Sequence, residues 1–73
     1  MKEFIANFYE ILDDTEEHEI TKDTDFKNLD EWDSMTNLML IAMVHENYGK
    51  QIKGADIKES LTIENLFIRI QAK

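Results

Sequence analysis

Apolar residues recur at helical spacing in three stretches of this chain, and the gaps between them are as informative as the stretches. Phe4, Ile5, Phe8, Ile11 and Leu12 sit three and four residues apart and predict an amphipathic helix over residues 2 to 13. The acids Asp13, Asp14, Glu16, Glu17 and Glu19 then break the pattern. Residues 15–33 read as a long connection, tied to the core at intervals by Ile20, Phe26, Leu29 and Trp32. A connection of that length is either a sign of a wrong assignment or a mark of function. Its spaced anchors, and its arrival at an Asp-Ser pair, favour function. A second helix is expected from Ser34 to Tyr48, stopped by Gly49 in a left-handed C-terminal position. Ile52 is a further anchor, and Ala55 to Lys58 form a short helical turn. Thr62 is suited to cap a last helix through Ile63, Leu66, Phe67 and Ile70. The expectation is an all-α bundle of three main helices plus a short one, one domain over residues 1–73, with the long loop between the first two main helices.

The second helix is apolar almost all round. At about 100° per residue its apolar positions divide into two stripes. Leu40, Ile41, Val44 and Tyr48 form one; Met35, Leu38, Met39 and Ala42 form the other, with Glu46 at its far end. A helix apolar on every side is ordinarily buried on every side. A domain of 73 residues has too few other helices to surround it. One stripe is therefore expected to face outward, and the one beside Ser34 is the better candidate. Methionine is a soft, adaptable side chain, suited to a surface that meets several partners. The plainer alternative is that Leu38 and Met39 fill gaps in the core.

Composition narrows the class. With no cysteine there are no disulfides or thiolate metal sites, and with no proline and two glycines a turn-rich β fold is disfavoured. No apolar stretch is long enough to span a membrane, and the polar residues soon after Met1 do not read as a signal peptide, so a cytoplasmic protein is expected. The net charge of −8 argues against a nucleic-acid partner. That charge is uneven: residues 1–33 carry twelve acids against three lysines, whereas residues 34–73 carry four acids against five bases. The acidic half is either a solvated face or a field that steers basic partner proteins. Arg69 and the lysines of the last third read as solubilising charges.

The chemistry converges on one hydroxyl. Asp33 can cap the second helix by accepting backbone N–H bonds one turn in, which places Ser34 at the first helical position. A phosphate there benefits from the unpaired N–H groups and the positive end of the helix dipole. The run Leu29-Asp-Glu-Trp-Asp-Ser-Met35 resembles the Asp-Ser-Leu attachment site of acyl and peptidyl carrier proteins, with Met35 in place of leucine. The resemblance extends over the whole helix order. It implies a covalent 4'-phosphopantetheine arm on Ser34, Asp33 as the cap that positions it, and thioester-linked cargo on the arm's thiol. The partners implied are a phosphopantetheinyl transferase, acyl- or aminoacyl-loading enzymes and downstream biosynthetic enzymes. They would dock on Met35, Leu38, Met39, Ala42 and Glu46, and the protein itself is expected to be a monomeric carrier and not an enzyme. In fatty-acid carriers the positions of Thr36, Asn37 and Met39 are often acidic; here Glu46 is the helix's one acid, which favours a specialised pathway.

Two rival readings differ in class. A Ser/His/Asp nucleophile is opposed by distance, because His45 is eleven residues along the same helix, about 16 Å away. There is no Gly-x-Ser-x-Gly elbow, and His18 and His45 lack metal-ligand spacing. The second rival is an unmodified interaction module of the same fold, in which Ser34 is only part of the helix start and the outer stripe is a plain docking face. Trp32 is expected to anchor the loop in the core, with a ring edge that would border the place where an arm emerges.

Overall fold

A computed structural model describes residues 1–73. Its elements are all helical: α1 (Lys2–Glu10), α2 (Ser34–Tyr48), α3 (Gly54–Glu59) and α4 (Ile63–Gln71), with two single 3₁₀ turns, Glu17–Glu19 and Phe26–Asn28, inside the long connection. The expected bundle of three main helices plus a short one is what the chain forms. All thirteen buried apolar residues belong to one cluster. Its centre is Phe4 and Phe8 of α1, Phe26 of the loop, Leu40 and Val44 of α2, and Ile63, Leu66 and Ile70 of α4.

Helix α1 stops at Glu10, earlier than the apolar spacing predicts, because its last amides find other acceptors. Ile11 and Leu12 donate to the carbonyls of Phe8 and Tyr9 at 3.2 and 3.0 Å, the tighter three-residue pattern that closes a helix. The next two amides, Asp13 and Asp14, donate to the two oxygens of the Glu31 carboxylate at 2.7 and 2.9 Å. The Thr15 hydroxyl adds a third bond to Glu31 at 2.6 Å. Glu31 thus takes, from across the loop, the amides that would otherwise continue the helix.

The long connection is held, not loose. Ile20 and Phe26 are buried, and Leu29 and Trp32 pack on the core as expected. The Trp32 ring stacks on Phe8 with centroids 5.7 Å apart and planes 6° from parallel. Phe26 meets both rings edge-on, at 5.1 Å from Trp32 and 5.5 Å from Phe8. Offset stacks and edge contacts of this kind stabilise beyond the area they bury. The loop also completes α4: the carbonyls of Thr24 and Lys22 accept from Ile63 and Glu64 at 3.2 and 2.9 Å. The Thr62 hydroxyl accepts from Asn65 at 3.2 Å, the cap expected of it. Three orphan amides at the start of α4 are satisfied in this way.

Gly49 ends α2 with φ +62°, the left-handed conformation a side chain would strain. The short helix α3 is a residue longer at each end than expected. Its Asp56 is buried, accepts from the Lys53 amide at 2.9 Å, and meets the Lys73 ammonium at 3.0 Å and the Arg69 guanidinium at 3.7 Å. Arg69 also lies 3.8 Å from Glu59. The cationic end of α4 is therefore not just solubilising, as charge pattern alone suggests; it fastens α3 to α4.

Phe8→Ala is expected to cost about 3–5 kcal/mol, the usual range for emptying a buried aromatic site. In a chain of 73 residues that is a large share of the whole stability. Urea unfolding followed by the Trp32 fluorescence measures it, and Ile68→Ala, on the exposed side of α4, serves as the near-neutral control.

Candidate functional site

The start of α2 is built from a short polar network around Asp33. Asp33 is extended, with φ −149° and ψ −173°, so its carboxylate turns back over the first helical turn. Its Oδ1 accepts from the Thr36 amide at 2.9 Å and from the Thr36 hydroxyl at 3.0 Å. That hydroxyl also lies 3.3 Å from the Glu31 carbonyl oxygen. The Asp33 carbonyl accepts from the Asn37 amide at 3.1 Å, opening the helical ladder. The expected cap is present, and it leaves Ser34 exposed at the first position of α2.

Two residues next to this site carry roles the spacing alone did not show. Thr36 is buried and completes the cap instead of facing a partner. Asn37 accepts from the Trp32 indole N–H at 2.8 Å, which fixes the ring that anchors the loop. An acceptor five residues past a tryptophan was a weak signal, since the pairing crosses the loop-to-helix corner. Glu31 gave no signal at all among so many acids.

The two faces of α2 separate as the projection predicts. Leu40 and Val44 are fully buried, and Ile41 and Tyr48 are half-buried. Met43, outside both predicted stripes, is buried beside them. On the other side Met35 is 63% exposed, Leu38 62% and Met39 37%, with Ala42 and Glu46 also exposed. These residues share one face of one helix, running about 18 Å from Ser34 to Glu46 at 1.5 Å per residue.

Two open depressions flank this face on the α1 side. One, of about 350 Å³, lies between Asp13, Asp14 and residues Asp30 to Asp33, Met35, Thr36 and Met39; Ser34 itself does not line it. The other, of about 320 Å³, lies between Asn7 and Glu10 of α1 and Ala42, Met43 and Glu46 of α2. Ile11 and Met39 line both, so the two depressions adjoin at these side chains and together make an open, shallow trough. Trp32 lines its near end, beside Asp33.

Electrostatics at the site follow from hydrogen bonding. The Thr36 amide, then its hydroxyl, hold the Asp33 carboxyl below the usual aspartate range. The Thr15 hydroxyl, with the Asp13 and Asp14 amides, holds Glu31 below the usual glutamate range. Both are anions at neutral pH. The unbroken α2 keeps His45 about 16 Å from Ser34, too far to act as its base. His18 is exposed in the first 3₁₀ turn. No group of three or more His, Asp or Glu side chains is arranged to hold a metal ion, and no helix is long and apolar enough to cross a membrane.

Comparison with protein-family models, with curated proteins and with solved structures finds no match.

The lowered carboxylates give the fold a definite acid response. Asp33, Glu31 and Asp56, the last lowered chiefly by the Lys53 amide and Lys73, favour the folded state when ionised. Their contribution is complete above the unfolded values near 4 and is lost as pH falls through the lower folded values. Urea midpoints are expected to be flat from about pH 7 to 5 and to drop below about pH 4. Glu31→Gln should shrink that drop while lowering the midpoint at pH 7.

Proposed function

We propose that the chain is an acyl or aminoacyl carrier, modified on Ser34 with 4'-phosphopantetheine and serving a specialised biosynthetic pathway. The observation that carries this reading is the exposed Ser34 at the first position of a helix capped by its own neighbour, Asp33. The residues present suit the group. The hydroxyl is accessible to a modifying enzyme, the dipole and free amides of α2 favour a phosphodiester beside it, and no side chain of the core must move. The acid of the cap itself opposes a phosphate at close range, so the group would lie outward of Asp33.

Attachment is a phosphoryl-group transfer from coenzyme A. The Ser34 oxygen forms a bond to the phosphorus of the phosphopantetheine unit, the bond to the adenosine bisphosphate oxygen breaks, and the serine proton passes to a base of the transferase. When bound, the arm supplies a terminal thiol that holds cargo as a thioester. The chain's own residues then position and present. Asp33 fixes the serine, Trp32 and Glu31 fix the approach to it, and Met35, Leu38, Met39, Ala42 and Glu46 offer the face on which transferase and loading enzymes dock. The rest of the chemistry belongs to those partners, and the chain acts as a carrier and not as an enzyme.

The exposed apolar stripe by itself also suits an unmodified interaction module, and one experiment separates the two. Incubated with coenzyme A and a broad-specificity phosphopantetheinyl transferase, the protein is expected to gain the mass of one phosphopantetheine, and Ser34→Ala to gain none. No gain with several transferases would favour the module. The docking face has its own test. Leu38→Glu is expected to lower the transferase kcat/KM about tenfold, the loss of roughly 1.4 kcal/mol of interface, with the urea midpoint unchanged. An unchanged rate removes Leu38 from the docking face.

A further inference from the structure

The trough between α1 and α2 starts beside Asp33 and Met35, the residues on either side of Ser34, and ends at Glu10 and Glu46. Its apolar lining is Ile11, Trp32, Met35, Met39, Ala42 and Met43. Its polar rim is one-signed. Carboxylates stand along both walls, and no lysine, arginine or histidine lines either half. At the far end Glu10 and Glu46 face the trough from opposite helices and neither is paired with a cation. At the near end Asp13, Asp14 and Asp30 are likewise unpaired, so an ammonium group is favoured along the whole length and meets Glu10 and Glu46 at the far end.

Length decides what fits. From Ser34 to Glu46 the helix rises about 18 Å. A phosphopantetheine arm runs about fourteen bonds from the serine oxygen to sulfur, equal to four or five residues of extended chain, or roughly 16 Å. An arm laid along the trough brings its sulfur about eleven residues along α2, to the level of His45, with the first cargo atoms between Glu10 and Glu46. Being tethered, it competes for this weak groove at an effective concentration that a free ligand does not reach. The uniform negative rim disfavours a second copy of this chain, and it disfavours cargo ending in a carboxylate.

We infer that the trough is the resting place of the protein's own arm and that its far end selects cargo bearing an ammonium group, an aminoacyl unit in preference to a neutral or dicarboxylic acyl unit. The inference rests on the carrier reading of Ser34. Leu38 stands outside the trough, whereas Met35, Met39, Ala42 and Glu46 belong both to it and to the docking face, so a partner that takes the whole face displaces the arm. Lifting the arm out is then part of handing cargo over.

The test uses full-length protein loaded by a transferase with pantetheine arms carrying alanyl, acetyl or succinyl groups through a stable amide link. Intact mass is read first, and absence of loading overturns the carrier reading together with this inference. With loading achieved, amide and methyl NMR reads the arm's position. The arm's paired methyl groups are expected to show NOEs to the Met35 and Met39 methyls. Shifts at Ile11, Met39, Ala42 and Met43 are expected to report occupancy about two- to fivefold higher for alanyl than for succinyl, the scale of one or two exposed ion pairs. The double variant E10Q/E46Q should remove that preference while keeping the NOEs. Perturbations confined to residues 33–36 for all three arms overturn the resting place, leaving the carrier reading intact. Equal perturbations along the trough for all three overturn the cargo preference alone.

Discussion

The stack of Trp32 on Phe8, with Phe26 edge-on to both, is what turns a long connection into a fixed part of the fold. One ring comes from α1, one from the middle of the loop and one from its last residues, so a single cluster sets where the chain must be when α2 begins. Everything at the start of α2 inherits that position. The indole N–H holds Asn37, the Glu31 carboxylate holds the end of α1, and the Asp33 carboxylate holds the first turn. Remove the stack and these polar contacts lose the alignment on which their geometry depends.

A second constraint is size. The helices α1 and α4, with the loop, cover one side of α2 and have nothing left for the other. Leu40 and Val44 reach the centre of the core while Met35 and Leu38, on the same helix, stay in water. Exposed apolar side chains standing singly or in pairs, such as Leu61 and Ile68, are ordinary; several in line along one helix are less so. Their presence along one strip, ending at an exposed serine, is the physical basis for treating that strip as a surface with a purpose.

Much of this was legible from residue order. Helix positions, the Asp33 and Thr62 caps, the Gly49 stop and the two faces of α2 all follow from periodicity and local backbone chemistry, which act over a few residues. What could not be read acts over longer separations. The end of α1 depends on Glu31, eighteen residues from Asp13, and the start of α4 depends on carbonyls of Lys22 and Thr24. The buried Asp56 with Lys73 and Arg69 is a further case, since an acid among many gives no sign of which cation it will meet. The Ser34 position was legible because a cap is local; the trough beside it was not, because it needs α1 and α2 side by side.

The separation of faces on α2 has an evolutionary consequence. Because Met35, Leu38 and Ala42 contribute little to the core, they can be exchanged for other residues with small cost to folding, whereas Leu40 and Val44 cannot. The helix therefore keeps stability and recognition on different residues of the same fifteen. Lineages of such a chain are free to retune whom they meet without first solving the folding problem again.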